Sequence, residues 1–244
     1  MRLDKYLAEM GAGTRSEVKK LVRAGRVTIN GAVAEKPEQK VDPETDTVCL
    51  NGEALLYVAY EYYLFHKPAG CVSATEDKIH KTVMDYLTDT LRDDLFPVGR
   101  LDIDTEGLLL ITNDGALAHE LLSPAHHVKK TYYARVAGRV TEEDARLFQQ
   151  GVDIGEEKLT KPAELVILTS GEESEIELTI TEGKFHQVKR MFQAVGKEVV
   201  YLKRLSMGPL TLPETLLPGE YRALTQEELM LLQKETGNKE MRRK

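Results

Sequence analysis

Cysteine is scarce. There are two in 244 residues, Cys49 and Cys71, and neither belongs to a C-x-x-C pair. That excludes a cysteine-based zinc site and fits a reducing, cytoplasmic setting, with both thiols serving as small core side chains. No apolar run approaches the roughly 20 residues of a membrane span, so no membrane association is expected. The opening stretch "MRLDKYLAEMGAG" has no continuous apolar core, and no signal peptide is predicted. Internal repeats and low-complexity segments are also missing. What remains, 41% hydrophobic and 30% charged residues, suits a soluble globular protein of one or two domains.

Positive charge is in short supply as well, with a net charge of -7 that argues weakly against a polyanionic partner. The average hides a split. Residues 1–41 carry nine Lys/Arg against five Asp/Glu, and residues 184–204 carry six against one. Two basic segments on an acidic body can track a polyanion while the acidic remainder faces water.

The first basic segment reads as a compact module. "LDKYLAEMG" suits a short helix. "TRSEVKKLVRAG" opens with Thr14 and Glu17 in capping-box spacing, places Val18, Leu21 and Val22 on one face, and stops at Gly25. "RVTINGAVAEKP" folds back at Asn30-Gly31, the strongest short hairpin signal. The whole stretch "RLDKYLAEMGAGTRSEVKKLVRAGRVTINGAV" resembles an S4 domain, a small α-L-like RNA-binding module. The resemblance implies that Arg2, Arg15, Lys19, Lys20, Arg23 and Arg26 contact RNA, whose backbone such a basic surface recognises by shape and phosphate.

A larger region follows. Strands are predicted at "YEYYLFHKP", "GLLLITN", "TYYARVAG", "PAELVIL", "EIELTITEG" and "EVVYLKRLSMG". Helices are predicted at "DGALAHELLS", "TEEDARLFQQG", "KFHQVKRMFQAVG" and "TQEELMLLQKE". Many strands with few crossover helices predict an α+β fold around a mostly antiparallel mixed sheet with flanking helices. The domains expected are residues 1–57, residues 58–236 and a polar tail at 237–244.

Four stretches carry the chemistry: "HKPAG", "GRLDIDTEGLLLITNDG", "SPAHHVKKTYYARV" and "EGKFHQVKRMFQAVG". In this order, behind an S4 domain, they resemble the ribosomal RNA pseudouridine synthases, and specifically the RsuA-type branch that modifies small-subunit (16S) RNA. The resemblance implies isomerisation of uridine to its C-glycoside. The N1–C1′ bond breaks, the uracil turns, and C5 rejoins C1′, with no cofactor and no metal. Such a reaction needs one ionised carboxylate in a water-poor pocket, and a buried carboxylate stays ionised only beside a cation. Asp102 matches the family's catalytic aspartate, whose role as nucleophile or base is left open. Lys189 matches the cation, with Arg190 as its fallback. Tyr132 matches the tyrosine that stacks on the flipped-out uracil.

The neighbours receive plainer expectations. Asp104 makes loop hydrogen bonds, Glu106 is solvated, and Asp114 caps the next helix. Arg100 either grips the target nucleotide or forms a salt bridge within its loop. His126, His127, Lys129 and Lys130 are expected on the RNA backbone. His186 supports the active site, and Leu202 and Leu205 either wall the base pocket or belong to the core. The partner implied is ribosomal RNA, naked or within a small-subunit assembly intermediate, met by a monomer. The rival readings are a large-subunit (23S) synthase of the same family, a non-catalytic S4 RNA-binding protein, and a glycoside hydrolase using Asp102 with Asp104.

Overall fold

The computed structural model describes residues 1–123 and 125–236, and the tail expected at 237–244 lies outside them. The chain divides into two compact units. The first holds Met1–Glu61 and takes in Thr88–Leu95 from later in the chain; the second holds the rest.

The first unit begins with α1 (Leu3–Glu9) and α2 (Arg15–Arg23). Thr14 and Glu17 form the reciprocal cap at the start of α2, with the Thr14 amide 2.8 Å from the Glu17 carboxylate. Strands β1 (Val27–Ile29), β2 (Ala32–Val33), β3 (Val48–Leu50) and β4 (Glu53–Leu55) make a sheet of order β2-β1-β3-β4. Asn30 and Gly31 both take positive φ, which is what a tight two-residue hairpin demands. Leu3, Leu7, Val18, Val22, Val27 and Val48 close the core. Arg92 holds the later segment in place, with its guanidinium 2.5 Å from Asp94 and 3.5 Å from Glu9.

The second unit is built on one mixed sheet. Its strands are β5 (Tyr62–Lys67), β6 (Phe96–Pro97), β7 (Glu106–Thr112), β8 (Lys130–Ala137), β9 (Glu164–Thr169), β10 (Glu173–Ile180), β11 (Glu198–Met207), β12 (Leu210–Thr211) and β13 (Tyr221–Ala223). The main order is β13-β5-β7-β11-β8-β10-β9. Every pairing is antiparallel except β7 with β11, where Gly107 lies opposite Arg204. That pairing requires Gly107, because a Cβ there would sit 2.3 Å from the Arg204 carbonyl oxygen. The helices are α3 (Gly115–Leu122), α4 (Glu142–Gln150), α5 (Gln187–Ala194) and α6 (Gln226–Glu235). Period-two burial along β8 and β10 gives one face to a core containing Val136, Phe148, Ile176, Met191 and Phe192, drawn from β8, β10, α4 and α5. A second core joins Leu64, Leu108 and Leu110 to Leu117, Leu121 and Leu232 of α3 and α6. Among the described residues no helix is long and apolar enough to cross a membrane.

Candidate active site

The loop from Gly99 to Thr105 enters β7 and carries Asp102. It is held from behind. Lys67, at the end of β5, is fully buried, and its ammonium donates to the carbonyls of Pro68, Asp102, Ile103 and Thr105 at 3.1, 3.0, 3.4 and 2.9 Å. Gly70 donates its amide to the Ile103 carbonyl at 2.7 Å, and Ser73 exchanges hydrogen bonds with the Leu101 backbone at 3.0 and 3.1 Å. Thr105 closes the turn onto the Asp102 carbonyl. The "HKPAG" stretch therefore fixes the acid loop. Burial lowers the Lys67 pKa, and Asp104 and Asp102 work against that.

Helix α5 brings the cation. It starts after His186, which sits in the left-handed region at φ 48°. Lys189 Nζ lies 2.6 Å from Asp104 Oδ1 and 3.4 Å from Asp102 Oδ2, so it bridges both acids. His186 Nε2 approaches Asp102 Oδ1 at 3.4 Å from the other side. The two acids differ in enclosure, with side chains 26% exposed for Asp102 and 66% for Asp104. Partial burial is the largest influence on Asp104 and opposes its ionisation, but the Lys189 hydrogen bond and the Lys189 charge together outweigh it, so its carboxyl lies below the usual range.

Asp102 opens onto a cleft of about 80 Å³ lined by Arg100, Thr105, Tyr132, His186, Val188 and Leu202, among others. Tyr132 comes from β8 and Leu202 from β11, and both are buried side chains of the first sheet core. A larger groove of about 450 Å³ lies between Lys129, Arg146, Pro162 and Thr179. Its charged side chains are all exposed, so it lacks the enclosed acid–cation pair that covalent chemistry on a sugar requires. Among the described residues no group of His, Cys, Asp or Glu side chains could hold a metal ion.

Comparison with known proteins now decides the family. A family model for RNA pseudouridylate synthase matches residues 61–194, and one for the S4 domain matches residues 1–48. An uncharacterized RNA pseudouridine synthase of Bacillus subtilis is 53% identical over 95% of this chain and 98% of its own length. The ribosomal small subunit pseudouridine synthases A of Yersinia pestis and Escherichia coli K12 are 44% and 42% identical over 94% of this chain, covering 97% and 98% of theirs. A crystal structure of a pseudouridylate synthase superposes with a TM-score of 0.67 at 40% identity, covering 95% of this chain and 99% of that one. The chain belongs to the RNA pseudouridylate synthase family. It carries an S4 domain in front of the synthase domain.

Within this synthase fold, Asp102, Tyr132, Arg100 and His186 line one cleft, and Lys189 reaches Asp102. Four expectations change. Asp104, expected to make loop hydrogen bonds, instead makes the shortest contact to Lys189. Glu106, expected in solvent, accepts a hydrogen bond from Tyr201 at 2.7 Å, and burial together with that bond keeps the phenol protonated well above its usual range. Arg190 cannot replace Lys189, because its guanidinium is bound to Glu156 at 2.8 Å and to the carbonyls of Phe185 and Ile154. Lys130 is not at the surface. Alternation along β8 turns it inward, its ammonium donates to the Val128 carbonyl at 3.1 Å, and burial followed by Arg204 lowers its pKa to about 8.

Other expected RNA contacts keep their exposure but gain partners. His126 pairs with Glu120 at 2.5 Å, and His127 lies 3.1 Å from Lys161. Lys129 is exposed on the rim of the larger groove. In the S4 unit, Arg2 is bidentate to Asp4 and Arg26 donates to Asn51 at 2.6 Å. Arg15, Lys19, Lys20 and Arg23 form no ion pair within 4 Å among the described residues. Leu202 belongs to the core and lines the cleft at once. Lys67 is the residue that sequence reasoning misses; its only signal is its place before the Pro-Ala-Gly turn.

Proposed function

We propose that this synthase converts a specific uridine of small-subunit ribosomal RNA to pseudouridine, with Asp102 as the reacting carboxylate. The observation that carries the reading is the enclosed Asp102, bracketed by Lys189 and His186, in a cleft walled by Tyr132 and Leu202. The small-subunit target is supported by the likeness to the Yersinia and Escherichia relatives, which extends over nearly the whole of each chain.

The target uridine must leave its stack to reach such a cleft. With the base turned in, the Asp102 carboxylate meets the sugar, where it acts as nucleophile or base as the N1–C1′ bond breaks. Lys189, with its ammonium 3.4 Å away, is the cation that faces the carboxylate. The Tyr132 ring stacks on the freed uracil while it turns to present C5 to C1′. Arg100, exposed at the cleft mouth, grips the flanking phosphate. The S4 unit adds sequence-independent attraction to the RNA backbone. The enzyme works as a cytoplasmic monomer on ribosomal RNA before the small subunit is complete.

The test is a map of pseudouridine in ribosomal RNA from cells with and without this protein, by carbodiimide-blocked primer extension. One stop in the small-subunit RNA should vanish in its absence. Loss of a stop in large-subunit RNA, or no change in either, contradicts the reading.

A further inference from the structure

Phe185 lies in the chain between Lys184 and His186, which both line the cleft, and has 70% of its surface in solvent. A single exposed apolar side chain is ordinary. This one is set in place. One face of its ring stacks on the His186 imidazole, with centroids 3.7 Å apart and planes 20° from parallel. His186 is itself fixed by its left-handed backbone and by its approach to Asp102 at 3.4 Å. The Phe185 carbonyl accepts a hydrogen bond from Arg190 at 3.0 Å, which pins the backbone on the other side. Arg190 in turn is anchored on Glu156, so the ring is carried by a braced segment. The result is a flat aromatic surface, open on one face and one residue removed from the reacting carboxylate's partner.

A flipped-out uridine leaves its neighbour in the strand with an unstacked face. Aromatic side chains satisfy such faces without regard to base identity. We propose that Phe185 is the stacking platform for the nucleotide adjoining the target uridine. The proposal rests on the assignment of Asp102 as the group that meets that uridine. Base, phenyl ring and imidazole then form one continuous stack whose far end touches Asp102. Docking of the strand and placement of the carboxylate thereby share one rigid unit. Phe185 is a binding residue in this scheme and touches no reacting atom.

The chain contains no tryptophan, so Phe185→Trp places a lone indole reporter at this position. The probes are unmodified transcripts of the small- and large-subunit ribosomal RNAs of Bacillus subtilis. With the transcript that the wild-type enzyme modifies, Phe185→Leu should raise KM about tenfold, within the range for loss of one base–aromatic stack, with a smaller change in kcat. Phe185→Trp should restore KM, and its emission should be quenched as that transcript is added. A KM for Phe185→Leu within about twofold of wild type, or an indole emission indifferent to RNA, overturns the platform while leaving the Asp102 assignment standing. A wild-type enzyme that modifies neither transcript overturns the substrate assignment, and the platform with it.

Discussion

Lys67 illustrates how much a single residue can set. Its ammonium is the common donor for four carbonyls around the acid loop, and the side chain is fully buried. Removing one partner of such a buried charged arrangement leaves the others unpaired, at a cost of about 3 kcal/mol or more. Lys67→Met should therefore lower stability by that order in a urea titration. It should also lower kcat, because the Asp102 loop loses its anchor. The place of Asp102 at the cleft is legible in the sequence only through the family resemblance that its motif carries. The choice between Lys189 and Arg190 is not. Adjacent helical positions point about 100° apart, and only the packed helix says which one faces the acids. Lys130 is misleading for a similar reason: a basic run beside histidines reads as surface until strand alternation turns one member inward.

At the scale of elements, the local signals are the reliable ones. The cap at Thr14 and the Asn30-Gly31 hairpin both form, because each depends on residues within a few positions. The parallel β7–β11 pairing is illegible, since it joins segments almost a hundred residues apart and announces itself only through Gly107. Helix α6 offers a direct test of local electrostatics. The Glu228 carboxylate meets the Arg222 guanidinium at 2.8 and 2.7 Å and also caps the helix. The Arg222 hydrogen bonds lower its pKa from 4.5 to about 2. A carboxyl depressed in the folded state contributes stability that is complete above its unfolded pKa and disappears as pH falls through the folded one. Glu228→Gln keeps a capping side chain but not the charge. It should cost about 1 kcal/mol at neutral pH, and thermal melts should show the gap to wild type narrowing as pH drops from about 4.5 toward 2.

For the molecule as a whole, the sequence discloses the S4 domain and the synthase domain in order, because both rest on contiguous motifs. It does not disclose that residues 88–95 fold with the first unit, a consequence of Arg92 finding Glu9 far upstream. The charge split predicts how the enzyme meets RNA. Arg15 and Arg23 are exposed and form no ion pair among the described residues, so reversing both to Glu should leave the melting temperature nearly unchanged. RNA affinity should fall, and the slope of log Kd against log salt should flatten by roughly one for each phosphate no longer neutralised. An unchanged slope in filter-binding titrations would remove these arginines from the interface. The role proposed for Asp102 has a direct readout, because joining C5 to C1′ expels the hydrogen carried by C5. Small-subunit ribosomal RNA labelled with tritium at uridine C5 should release tritium to water with the wild-type enzyme, up to one equivalent per target site. Asp102→Asn should release none while binding the same RNA with similar affinity. Tritium release by Asp102→Asn at a rate near wild type would contradict the account.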